Sequence, residues 1–160
     1  MGYHGPRHHQ VPPLSIVRTT RLGRGSHRSA SCGTADPTVY PDLNALLRDF
    51  VAEVSRILAG NFCGAYLQGS FALGDADVHS DVDFIVVTRE EVGAEPAAAL
   101  QAMHERIFAR DVPWAQHLEG SYVPKSSLRT VDPSRAPYLY LDNGATELTR
   151  DNHCNTAVVR

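Results

Sequence analysis

Apolar positions first repeat at Leu43, Leu46, Leu47, Phe50, Val54, Ile57 and Leu58, three or four residues apart and therefore on one face of a helix. Pro41 and Asp42 stand where a first helical turn tolerates a missing N–H and favours a negative charge, and Gly60 marks the expected end. Phe62 to Gln68 has the aromatic and apolar content of a strand. A Gly69-Ser70 turn, a short segment from Phe71 to Leu73 and a polar loop from Gly74 to Ser80 follow. Val82 to Thr88 carries the strongest strand signal, with an unbroken apolar run from Phe84 to Val87. Leu100, Met103, Ile107 and Phe108 predict a second helix over Glu95 to Ala109, with Pro96 in its first turn. A third strand is expected over Gln116 to Val123, a short helix from Pro124 through Leu128, and a fourth strand over Tyr138 to Leu141. Helix, strand, strand, helix, strand is an α/β or α+β order.

Upstream of this pattern, residues 1–38 are punctuated by Gly, Pro, Ser and His without a sustained period, so they are expected to form a disordered leader to a domain at 39–160. His4, His8 and His9 lie in that leader with no carboxylate among them, and a solvated tail is the expectation. Charge divides the same way. Residues 1–36 hold five arginines and one acid, for +4, which leaves −7 on the remainder of a chain whose formal net charge is −3. An acidic body lacks the basic stripe on which nucleic-acid binding by counterion release depends.

At 160 residues and 42% apolar content the chain suits one domain with a real core. Its apolar runs are far too short for a spanning helix, and Pro12 and Pro13 break the only stretch resembling a secretory segment. Cys32, Cys63 and Cys154 are odd in number and include no CxxC pair, which points away from a disulfide framework or zinc site and toward the cytoplasm. Cys63, beside a strand, reads as a small buried hydrophobe.

The chemistry concentrates in Gly69-Ser70 and, after ten further residues, Asp81-Val82-Asp83. Gly69 allows a sharp turn and a close approach to a ligand, and the amides after it can face an anion. Asp81 and Asp83 are two apart at the head of a strand, so both carboxylates leave one face and can grip hard cations. Such a pair beside a phosphate cradle suits magnesium with a nucleoside triphosphate. Two-metal phosphoryl or nucleotidyl transfer calls for a further carboxylate, as metal ligand or as base. Glu119 is the candidate, because it lies in the alternating stretch from His117 to Val123, on an expected neighbour of the Asp81/Asp83 strand. Asp75, Asp77 and His79 are expected to be solvated loop residues, Lys125 a surface residue, and Trp114 and Tyr122 packing residues.

Gly69-Ser70 and Ser80-Asp81-Val82-Asp83-Phe84 resemble the signature of the DNA polymerase β-like nucleotidyltransferase superfamily, whose minimal fold is a small mixed sheet flanked by helices. The stretch from Tyr66 to Val87, with His117 to Pro124, is similar more particularly to the aminoglycoside adenylyltransferases that act on streptomycin and spectinomycin. That resemblance implies that Asp81 and Asp83 bind Mg2+, two ions in all, that Gly69 and Ser70 contact the triphosphate of ATP, and that Glu119 is the third carboxylate and base. The acceptor would then be a hydroxyl of a small molecule such as an aminoglycoside. Those enzymes continue into a helical domain that closes over the drug. Its absence here implies a fragment of a longer protein, or a partner chain that completes the site. Two other readings stay open: a toxin-antitoxin type nucleotidyltransferase that modifies a protein or RNA partner, and a non-catalytic nucleotide-binding remnant.

Overall fold

The computed structural model describes residues 36–128 and 137–151. The leader expected over 1–38 lies outside the described residues except for Asp36 to Thr38, as do His4, His8, His9, Cys32 and Cys154. In chain order the elements are α1 (Pro41–Leu58), β1 (Phe62–Leu67), α2 (Gly69–Leu73), β2 (Val82–Thr88), α3 (Ala94–Phe108), β3 (Leu118–Pro124), β4 (Tyr138–Leu141) and β5 (Leu148–Asp151). Short 3-10 turns occupy Ala59–Asn61, Pro113–Gln116 and Lys125–Leu128. The strands form one mixed sheet in the order β1-β2-β3-β4-β5, in which β2 and β3 run parallel and every other neighbour is antiparallel. A parallel pair needs a crossover, and α3 supplies it. No helix among the described residues is long and apolar enough to cross a membrane.

One face of the sheet packs against the helices. Leu43, Leu47, Phe50 and Val54 of α1 and Leu100, Met103 and Ile107 of α3 meet Val82, Phe84 and Val86 of β2 in a single core cluster. Burying each such side chain contributes about 1.5–3 kcal/mol. The chain is fixed as it enters α1, where buried Asn44 accepts from Thr38 N–H at 3.0 Å and donates back to the Thr38 carbonyl at 2.8 Å. On the outer rim Arg106–Glu53 (2.6 Å) and Arg110–Asp49 (2.7 Å) join α1 to α3 and to the turn just after it, partly exposed pairs worth less than about 1 kcal/mol each.

Most expected elements form, with instructive differences. The third strand starts at Leu118 instead of Gln116, because Pro113 opens a 3-10 turn that runs through Gln116. Pro124 closes that strand opposite Thr88 and does not begin the short helix, which is a 3-10 turn at Lys125–Leu128. β5 has one apolar residue and an edge position, so its sequence carries no strand signal. Cys63 is exposed, not buried. The register of β1 against β2 shifts between Phe62 and Gly64, and such a bulge turns a residue off the face that simple alternation assigns to it. Trp114 and Tyr122 are indeed packing residues, 7% and 1% exposed.

Candidate active site

The parallel pairing of β2 with β3 places Asp83 directly beside Glu119. Each is the second residue of its strand, and paired residues in a sheet direct their side chains to the same side. That side is opposite the one on which Val82, Phe84 and Val86 meet the helices. Asp81 immediately precedes β2, and its Oδ1 lies 3.6 Å from Nδ1 of His117, whose carbonyl accepts from Val82 N–H at 2.8 Å. Gly120 follows Glu119 because Phe84 crosses the sheet there: a Cβ would collide with its carbonyl and ring.

The Gly69 bend reaches the same point from β1. Gln68 N–H donates to the Asp83 carbonyl at 2.8 Å, which ties the end of β1 to the start of β2. Gly69 then takes a positive φ of 58°, a conformation glycine adopts without steric cost. It also faces Asp83 so closely that a Cβ would overlap the carboxylate oxygen Oδ2. Two residues on, Phe71 packs its ring at 5.7 Å from Trp114 and 6.3 Å from Tyr40, which anchors the single turn of α2 to the body of the domain.

The electrostatics follow from this crowding. Burial raises the Asp83 pKa above its ordinary 3.8, and the negative charges of Glu119 and then Asp81 push it further the same way. Glu119 Oε1 accepts a 2.6 Å hydrogen bond from the Tyr140 hydroxyl of β4. Burial first, then that bond, holds the phenol well above its usual range, so it remains a donor. Among the described residues no group of three or more His, Cys, Asp or Glu side chains is arranged around one point as metal ligands would be. Asp81 turns instead toward His117, and Glu119 toward Tyr140.

The intervening loop has its own bonding. Asp77 accepts from His79 N–H at 2.9 Å and from the Ser80 hydroxyl at 3.1 Å, contacts that lower its pKa and hold the turn. Asp75, His79 and Lys125 are exposed, as expected. Sequence reasoning missed Tyr140 and Ser121. Tyr140 is paired with Ser121 in the β3–β4 register, and both are buried. The Ser121 hydroxyl, two residues beyond Glu119 on the same face, has no hydrogen-bond partner. The alternation around Tyr138 and Tyr140 signals a strand, but nothing local to it reveals the partner.

Comparison with known families adds one match: residues 50–131 fit the family model of a nucleotidyltransferase domain. That span includes Gly69, Ser70, Asp81, Asp83 and Glu119 and ends before Tyr140. No curated protein matches the chain.

Proposed function

The chain belongs to the nucleotidyltransferase domain family, and on that premise we propose that it transfers AMP from ATP to a hydroxyl of a small aminoglycoside or aminocyclitol acceptor. Pyrophosphate is the leaving group. The observation that carries this reading is the side-by-side placement of Asp83 and Glu119, with Gly69 pressed against Asp83. The donor set suits Mg2+, which takes carboxylate oxygens, and the Asp83 carboxyl is burdened by two like charges that a divalent cation relieves. Asp81, Asp83 and Glu119 would hold it. When bound, magnesium supplies neutralisation of the charge on the α-phosphate and on the departing pyrophosphate.

The remaining work falls to side chains and backbone. Glu119 accepts the proton of the acceptor hydroxyl as its oxygen bonds to the α-phosphorus and the bond to pyrophosphate breaks. Gly69 leaves the backbone bare for the triphosphate, and Ser70 offers its hydroxyl and amide there, the roles that the family resemblance gives them. Tight backbone ties at Gln68 and Val82 keep the ends of β1, β2 and β3 in fixed relation, so the acid pair and the bend need little rearrangement.

The test is pyrophosphate release by the full chain with ATP, Mg2+ and either streptomycin or spectinomycin, with mass spectrometry for AMP on the drug. Glu119→Gln should lose about 10²–10⁴-fold in rate, the usual worth of a general base. Asp83→Asn should abolish transfer while the fold is kept. Turnover surviving in Asp83→Asn, or wild-type protein that leaves both drugs unmodified, refutes the assignment.

A further inference from the structure

We propose that Tyr140 is a positioning residue for Glu119: its hydroxyl, donating to Oε1, sets the direction in which the carboxylate meets the acceptor. The inference rests on the adenylyl-transfer reading above, in which Glu119 takes the acceptor's proton. Three features of the structure support it. The bond is short, 2.6 Å, and has a carboxylate acceptor, the class of hydrogen bond that restrains geometry most strongly. Its donor is mounted on a rigid element, since β4 is paired on both sides, with β3 at Tyr140↔Ser121 and with β5 at Tyr140↔Thr149. The ring is buried, and Asp142 Oδ1, a second carboxylate oxygen beside the hydroxyl, lies farther off at 3.4 Å, so the shorter bond is the one to Glu119.

A glutamate has three side-chain torsions, and on an open strand face it would sample many orientations. A phenol fixed across the sheet removes most of them before substrate arrives, which is the condition for a near-attack arrangement. Tyr140 lies beyond residues 50–131, so this support comes from the part of the chain outside the matched family segment.

The test compares wild type, Tyr140→Phe, Glu119→Gln and the double variant, with ATP, Mg2+ and streptomycin, spectinomycin or water as the acceptor. Removing one hydroxyl should lower kcat about ten- to a hundredfold, the usual loss when a supporting hydrogen bond to an active group is deleted. KM for ATP should stay within about twofold, because Asp81, Asp83 and the Gly69 bend, which hold the rest of the metal and the triphosphate, are untouched. The double variant should be no slower than Glu119→Gln alone, since two residues acting through one carboxylate are not additive. A wild-type kcat in Tyr140→Phe overturns the proposal, as does multiplication of the two losses or a rise in KM that accompanies the fall in kcat. Wild type inactive with every acceptor, or Glu119→Gln at full rate, instead overturns the transfer reading, and this inference with it.

Discussion

Alanine at position 69 meets two separate obstacles, and Gly74, at the other end of α2, allows them to be told apart. Gly69 has a φ of 58°, and an L-residue forced into the left-handed region loses roughly 1–2 kcal/mol. For a chain of this size that lowers Tm by roughly 3–8 °C. The added methyl also overlaps Asp83 Oδ2, so the carboxylate must retreat by about 1 Å to reach ordinary contact distance. A displacement of about 1 Å at a reacting centre costs on the order of a hundredfold in rate, equivalent to about 2.7 kcal/mol of barrier. Gly74 has a φ of 81° with nothing within 4 Å of a Cβ placed there, so Gly74→Ala carries the backbone cost alone. Thermal melts should therefore fall in both variants, and further in Gly69→Ala by what the retreat of the Asp83 carboxylate costs. In the pyrophosphate-release assay, only Gly69→Ala should lose turnover. Equal loss of activity in both variants, or Gly69→Ala within about threefold of wild type, would show that contact between the bend and Asp83 does not govern the chemistry.

Three further outcomes are expected. The raised pKa of Asp83 means that the folded protein favours its neutral form, so its contribution to stability is fully present below 3.8 and is lost as pH rises through the raised value. In cation-free buffer at pH 7, Asp83→Asn should melt no lower than wild type, and a clear drop in Tm would contradict this. His104, stacked on Phe84 and sharing a 2.8 Å hydrogen bond with Tyr122, is driven by burial from 6.5 to about 3. The unfolded chain takes up a proton that the folded one refuses, so stability falls as pH drops from 6.5 toward 3, by up to about 1.4 kcal/mol per pH unit. Urea midpoints at pH 6.5 and 4.5 should differ less in His104→Phe than in wild type, and equal slopes would exclude His104 as the source. Ser121→Ala removes a buried hydroxyl that has no partner and should raise stability by about 1 kcal/mol, read as a higher urea midpoint. A lower midpoint would mean that the hydroxyl is bonded in solution.

Helical spacing located both long helices, and apolar content located four of the five described strands, because each buries apolar side chains whatever its partner. The Gly69 bend was legible for a different reason, since a tight turn is short-range geometry; of the two aspartates expected on one strand face, Asp83 lies on β2 and Asp81 just before it, turned toward His117. Glu119 was intermediate, with its strand readable and its place beside Asp83 dependent on the register. β5 was hidden, since an edge strand stabilised by its ladder needs no apolar pattern, and the exposure of Cys63 depended on a bulge that exists only once β1 meets β2. Nothing near Tyr140 in the chain connects it with Glu119, 21 residues away. Strand pairing made that bond, because hydrogen bonding between backbones decides which side chains become neighbours, and local sequence has no access to that choice.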